Sequence, residues 1–203
     1  MIFLYKLISH RGISNKDIKE NSFIAIKKAL ESDDYVGVEF DVRTTLDNEF
    51  VLYHNPLYNN KLVKNTLYKE LPKYVPKLNE VLKIESNKIF LIEIKNIGDN
   101  YDKLIDILKR YDNKKLYVMS FSNKIISKMD VNERNYKIGI LNYVFNTNED
   151  TKKLDFVGIL NSLINDNILN SLKNVEIFSY GLFDKKKSEK IFYIIDNNKN
   201  VNE

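Results

Sequence analysis

The sequence holds two histidines, His10 and His54, and no cysteine. Imidazole acid–base chemistry must therefore use these two positions. Thiolate nucleophiles, disulfides and zinc–thiolate sites are excluded. His10 opens the tripeptide His10-Arg11-Gly12, directly after the apolar run Phe3–Ser9. Glu39 and Asp41 stand two apart inside Val36–Val42. Alternate residues of a strand share a face, so both carboxylates point one way while Phe40 and Val42 point the other. Glu93 and Lys95 repeat that spacing in Ile92-Glu93-Ile94-Lys95. Carboxylates in apolar strands are costly unless something neutralises them. A divalent cation held by Glu39, Asp41 and Glu93 would do so, and oxygen ligands suit Mg²⁺ or Ca²⁺. Salt bridges to Arg11, Arg43 and Lys95 would also do so, and charge pattern alone leaves both open.

The elements that must carry these groups alternate. Strands are expected at Phe3–Ser9, Val36–Val42, Phe50–Tyr53, Ile89–Ile94, Lys115–Phe121, Lys137–Leu141, Leu154–Ile159 and Val175–Tyr180. Helices are expected at Asn21–Ser32 (Phe23, Ile26, Ala29 and Leu30 on one face), Leu78–Ile84, Tyr101–Tyr111, Asn123–Met129, Ser162–Leu172 and Lys185–Ile195. Alternating β and α argues a parallel sheet covered by helices, and the count of eight strands tempts a reading as an α/β barrel of the (β/α)8 kind. Val42 and Phe50 are too close for a parallel crossover, so Arg43–Glu49 is a hairpin turning at Asp47-Asn48, with Asp41 opposite His54. That leaves seven parallel strands. The chain runs out about where an eighth would begin: either Phe192-Tyr193-Ile194-Ile195 is that strand, or, as its Lys-Ser-Glu-Lys lead-in and lack of glycine favour, it is helical and the barrel lacks its last strand. It then exposes two edges, and a homodimer through the open edge follows.

The chain has 203 residues, 43% of them apolar and 30% charged, which excludes a disordered, collagenous or coiled-coil protein. No composition break divides it, so residues 1–203 form a single domain. A net charge of +4 suits an anionic small molecule and is too weak to argue nucleic-acid binding. No stretch resembles a signal peptide or a membrane span, and a cytoplasmic location is expected. Lys185-Lys186-Lys187 reads as a solvated helix face. Tyr53, Tyr58 and Tyr68 either line a substrate mouth or pack its rim.

Leu7-Ile8-Ser9-His10-Arg11-Gly12, then Glu20-Asn21, then Glu39-Phe40-Asp41-Val42-Arg43-Thr44-Thr45-Leu46-Asp47, then His54 resembles the glycerophosphodiester phosphodiesterase family, a phospholipase C-like barrel. Pro76–Leu82, Leu91–Lys95 and Ser120-Phe121 resemble its later motifs. The match is close over residues 1–95 and thin afterwards. The resemblance implies metal-dependent hydrolysis of small glycerophosphodiesters to glycerol 3-phosphate and an alcohol. It implies His10 and His54 as acid and base, and Glu39, Asp41 and Glu93 as metal ligands. It also implies Arg11 and Lys95 on the phosphate and Glu20 at the site rim. Asn21 reads as a helix cap. Three departures stand out. The family's histidine–aspartate pair is His54-Asn55 here. A late strand survives only as Phe178-Ser179-Tyr180-Gly181, and the closing strand that ends in aspartate is missing. Two alternatives follow: a lysophospholipase D or sphingomyelinase D-like lipid phosphodiesterase, and a catalytically weakened barrel kept as a binding module.

Overall fold

Valine, isoleucine, leucine and phenylalanine gather in runs of five to eight residues, and the eight longest runs form one parallel barrel. The computed structural model describes residues 5–143, 153–172, 175–181 and 188–197. Phe3-Leu4 of the expected first strand and Lys185-Lys186-Lys187 lie outside the described residues. In chain order the strands are β1 (Lys6–His10), β2 (Gly37–Thr44), β3 (Phe50–Leu52), β4 (Leu57–Tyr58), β5 (Lys61–Leu62), β6 (Ile89–Asn96), β7 (Lys115–Ser120), β8 (Lys137–Asn142), β9 (Phe156–Leu160), β10 (Glu176–Tyr180) and β11 (Ile191–Ile195). The helices are α1 (Phe23–Glu31), α2 (Leu78–Leu82), α3 (Tyr101–Lys109), α4 (Asn123–Met129) and α5 (Asp166–Ser171).

Parallel pairing runs β1-β11-β10-β9-β8-β7-β6-β2 and returns to β1. Alternation sorts each strand's side chains. Ile8, Leu91, Met119, Leu141, Phe178 and Phe192 fill the interior. Val38, Phe40, Phe90, Ile92, Val118 and Tyr193 pack outward with the helices. Phe156 fills its interior layer only because β8 carries Gly139 beside it. A Cβ there would lie 2.4 Å from the Phe156 ring. On α1, Ala25, Ile26, Ala29 and Leu30 are buried, whereas Phe23 is exposed. One short 3₁₀ turn, Asn161–Leu163, and α5 replace the single expected helix Ser162–Leu172.

The barrel is complete. The helix expected over Lys185–Ile195 is instead, at its C-terminal end, strand β11, paired to β10 through Ile177↔Ile191 and to β1 through Ile8↔Ile194. All five of its residues are buried, because Phe192 and Ile194 face the interior while Ile191, Tyr193 and Ile195 face the outer layer. A run apolar on both faces has no strand periodicity to betray it. With β1 paired on both sides, the open edge on which the homodimer expectation rested is gone.

The hairpin exists, one residue out of the expected register. Its loop is the three residues Leu46-Asp47-Asn48, with Asn48 left-handed (φ 58°) and the Thr45 N–H donating to the Glu49 carbonyl. A three-residue loop of this kind shifts pairing by one relative to a two-residue turn. Val42 therefore faces Leu52, and the Tyr53 N–H, in place of His54, reaches the Asp41 carbonyl at 3.1 Å.

Candidate active site

The C-terminal ends of β1, β2 and β6 carry polar groups on the face that is apolar lower down. Ile8 gives way to His10 on β1, Gly37 to Glu39 and Asp41 on β2, and Leu91 to Glu93 and Lys95 on β6. Barrel strands deliver active-site groups at this end. Register keeps them level, since His10 pairs with Glu39 and Asp41 with Glu93. β1 covers the first half of one edge of β2, and β3 covers the second half of the same edge. His10 and His54 thus arrive from opposite directions at the Glu39–Asp41 step.

Ligand oxygens of Glu39, Asp41 and Glu93 all lie within 4.8 Å of one another, and all three residues are buried. Burial, reinforced by the charges of Asp41 and Glu93, pushes the Glu39 carboxyl well above its ordinary range. Burial also raises Glu93, with Lys95 opposing it. Both classes of neutralising partner are drawn toward this cluster. Arg11 Nε lies 3.2 Å from Asp41, and Lys95 Nζ lies 3.2 Å from Asp41 and 2.5 Å from Glu93. Yet Glu39 Oε1 is buried with no hydrogen-bond partner, and Asp41 Oδ1 has the Lys95 ion pair but no geometrically acceptable hydrogen bond. The unpartnered buried Glu39 oxygen in a ring of oxygen donors fits a hard divalent cation. Arg43 takes no part in the cluster's ion pairs; its Nε and Nη2 donate to the His54 carbonyl at 2.9 and 2.7 Å.

The His10-Arg11-Gly12 turn is strained in a way that serves the cluster. Arg11 and Gly12 both have positive φ, 55° and 79°. A Cβ at Gly12 would lie 2.5 Å from the Ala25 carbonyl carbon, so only glycine lets the turn sit on α1. The Arg11 N–H donates to Glu39 Oε2 at 3.1 Å, and its guanidinium also binds Glu20 at 2.8 Å. Asn21 is buried, with a left-handed backbone (φ 56°). Its amide donates to Asp41 Oδ2 at 2.8 Å, and its carbonyl accepts from the Asp41 N–H at 3.0 Å. Ser22 caps α1 through the Ala25 N–H. The capping role expected for Asn21 therefore belongs to Ser22, and Asn21 fixes a carboxylate of the cluster.

His10 Nδ1 lies 2.5 Å from Asp196 Oδ1, directly after β11, and its Nε2 lies 3.8 Å from Glu39. Asn197 accepts from Ser9 Oγ at 3.1 Å and from the Tyr35 hydroxyl at 2.7 Å, and its amide donates to the Gly12 carbonyl. His54 Nδ1 faces Asn55 Oδ1 at 3.1 Å. Burial lowers the His54 pKa below 6.5, with the Asp41 carboxylate opposing and Arg11 and Lys95 adding to the shift.

Nearly the whole site lies within the part of the chain that matches a known family model. The model of the glycerophosphoryl diester phosphodiesterase family matches residues 10–187. The chain belongs to this family. Among solved structures it is similar to a glycerophosphodiester phosphodiesterase from Thermotoga maritima, with 24% identity, a TM-score of 0.77, and 94% and 93% of the two chains covered. It is similar to one from Parabacteroides distasonis, with 19% identity, a TM-score of 0.76, and 94% and 92% covered. It is also similar to a phosphodiesterase from Oleispira antarctica bound to its product sn-glycerol-3-phosphate, with 16% identity, a TM-score of 0.75, and 90% and 86% covered. No curated protein matches the chain by sequence. Family and fold make the protein a phosphodiester hydrolase. Among the described residues no helix is long and apolar enough to cross a membrane.

Sequence reasoning missed Asp196 and Asn197, because both follow the strand it read as a helix. The closing strand is β11, Ile191–Ile195, and Asp196 follows it directly. It also missed an exposed aromatic pair, Phe121 stacked on Tyr143 at 4.4 Å, with Tyr180 edge-on to Phe121 at 6.0 Å. All three rings stand at the C-terminal ends of β7, β8 and β10, the same end of the barrel that carries the acidic cluster.

Proposed function

We propose that the protein is a divalent-cation-dependent glycerophosphodiesterase that releases glycerol 3-phosphate and an alcohol. The observation that carries this reading is the buried Glu39–Asp41–Glu93 triad, with Glu39 Oε1 left unpartnered, between two histidines and beside Arg11 and Lys95. Glu39, Asp41 and Glu93 would hold Mg²⁺ or Ca²⁺. When bound, the cation neutralises phosphate oxygens and the charge that grows on them.

The side chains divide the remaining work. Arg11 offers a forked donor to the phosphate and Lys95 a point charge. His10, held through Nδ1 by the Asp196 carboxylate, has the arrangement of a general base with Nε2 toward the site. It takes the proton from the neighbouring glycerol hydroxyl, whose oxygen bonds to phosphorus. His54, half-buried and lowered in pKa, is a strong proton donor once protonated. It gives that proton to the departing alcohol oxygen as its P–O bond breaks, leaving a cyclic phosphate. Water then opens the ring with the roles reversed. His54 takes the water's proton and His10 returns one to the glycerol oxygen.

³¹P NMR of the products tests this directly. Glycerol 3-phosphate, preceded by a cyclic glycerol phosphate, is expected. Release of the head group as a phosphate ester would place the scission on the wrong bond. The exposed Phe121–Tyr143 pair supports a second reading, a lipid substrate whose chain lies on those rings. Lysolipid turnover exceeding that of glycerophosphocholine would favour it. The binding-module reading loses one of its two supports with the closed barrel and keeps only Asn55.

A further inference from the structure

Residues 56–77, between β3 and α2, supply no group to the chemistry above. Tyr58 and Tyr68 pack, with Tyr53, on the buried cluster Val51, Val63, Leu71 and Val75, so the three tyrosines pack the rim. β4 and β5 form a hairpin turning at Asn59-Asn60, both left-handed (φ 47° and 61°), as a two-residue type I′ turn requires. Alternation then fixes the faces of the hairpin. Tyr58 faces the cluster, so Leu57 and its cross-strand partner Leu62 face away from it. They are 48% and 38% exposed. Beside this segment lies an open groove of about 790 Å³. It is lined by Phe23 and Ile24 of α1, by Tyr74 and Pro76, and by Lys19 and Lys73. Phe23, Ile24 and Tyr74 are all exposed. Because α1 begins beyond the C-terminal end of β1, this rim belongs to the reactive end of the barrel.

Charge gathers in the same place. Residues 56–77 carry Lys61, Lys64, Lys69, Lys73 and Lys77 against one carboxylate, Glu70, an excess equal to the +4 of the whole chain. Lys64, Lys69 and Lys73 are exposed and make no ion pair among the described residues. Glu70 and Glu80 turn back onto the backbone, accepting from the Leu67 and Lys77 N–H groups at 3.0 and 2.8 Å. We propose that this rim, the Leu57–Leu62 pair with the groove and its lysines, is a docking surface for an anionic lipid bilayer. Such a surface needs apolar side chains that enter the acyl boundary and cations that meet the head groups. The lysines alone would suit any polyanion. The outward Leu57, Leu62 and Ile24 select a lipid, because a nucleic acid gives aliphatic side chains little to bury against. Docking sets the mouth of the barrel at a lipid surface, where removal of the acyl chains of phospholipids yields glycerophosphodiesters; that last link alone rests on the function proposed above.

The chain has no tryptophan, so a single introduced one reads the surface directly. In the full chain, Leu57→Trp places it in the hairpin, and Asp112→Trp places it at the opposite end, in the turn before β7. Each is titrated with vesicles of phosphatidylcholine alone and of phosphatidylcholine with about 30% phosphatidylglycerol. The expected result is a blue shift of emission for Leu57→Trp on the anionic vesicles only, and none for Asp112→Trp. Sedimentation with the anionic vesicles should show binding that weakens with salt. It should fall about 5-fold in Leu62→Ser and about 10- to 30-fold in the double variant Lys64→Gln, Lys73→Gln, each with the parent's circular dichroism. Binding to neither vesicle, equal binding to both, an equal shift in Asp112→Trp, or undiminished binding in the lysine variant overturns the surface. These readings follow binding and not turnover. Failed docking therefore leaves the hydrolase reading intact, and failed hydrolysis leaves the docking result standing.

Discussion

At the scale of residues, the site is a balance of charges that the folded chain does not complete. Glu39 is buried with an unpartnered oxygen, and a bound cation is the partner that fits. A ligand at about 100 times its dissociation constant stabilises a fold by about 2.7 kcal/mol. For a chain of this size that is a rise in Tm of about 5–10 °C. Mg²⁺ or Ca²⁺ should produce such a rise by calorimetry, and Glu39→Gln should abolish it; an equal rise in Glu39→Gln would remove Glu39 from the metal site. Asn55 sets a second expectation. A general acid must be protonated, so activity falls as pH rises through its pKa, and burial has moved the His54 pKa down from 6.5. The alkaline limb of kcat/KM should therefore lie below that value. Asn55→Asp puts a carboxylate beside Nδ1, favours the imidazolium and should carry the limb upward, raising activity at neutral pH. A limb that does not move would take the acid role away from His54.

At the scale of elements, β11 does two things at once. It closes the barrel between β10 and β1, and it delivers Asp196 to His10 and Asn197 to the β1–α1 turn. Asp196→Asn should lower turnover about 10-fold or more without changing the circular dichroism, because the imidazole loses the charge that supports it. Near-normal turnover would make Asp196 incidental. This element also marks where sequence reading stopped. Glu39, Asp41 and Glu93 were legible because an acidic residue among apolar neighbours at strand spacing is a contradiction that demands a partner. His10 and His54 were legible because no other histidine exists. Ile191–Ile195 was not, because it is buried on both faces and follows Lys-Ser-Glu-Lys, a helical lead-in. Every one of its five residues is aromatic or β-branched, and that was the signal for a strand. The hairpin register failed for a different reason. One left-handed residue, Asn48, lengthened the loop to three, and alternation alone does not reveal that.

At the scale of the whole molecule, one end of the barrel is sealed and the other reacts. At the starts of β8 and β10, Lys137 joins Glu176 at 2.7 Å, and it also meets the Tyr117 hydroxyl of β7 at 2.9 Å, near the Phe156 and Phe178 rings. The opposite end gathers the carboxylates, both histidines and the Phe121–Tyr143 pair. With β1 paired on both sides, the parallel barrel presents no open seam, and a chain truncated after Lys190 should lose both closure and Asp196. Its unfolding should lose cooperativity in calorimetry, and a sharp transition at the parent's Tm would contradict the role given to β11. The central claim is that this end hydrolyses glycerophosphodiesters through a cation held by the triad. The most direct measurement is glycerol 3-phosphate release from glycerophosphocholine by the full chain, before EDTA, after EDTA, and after Mg²⁺ or Ca²⁺ is returned. The account predicts turnover that EDTA stops and the cation restores, with His10→Ala lower by about 10²-fold or more throughout. Turnover indifferent to EDTA, or undiminished in His10→Ala, would contradict it.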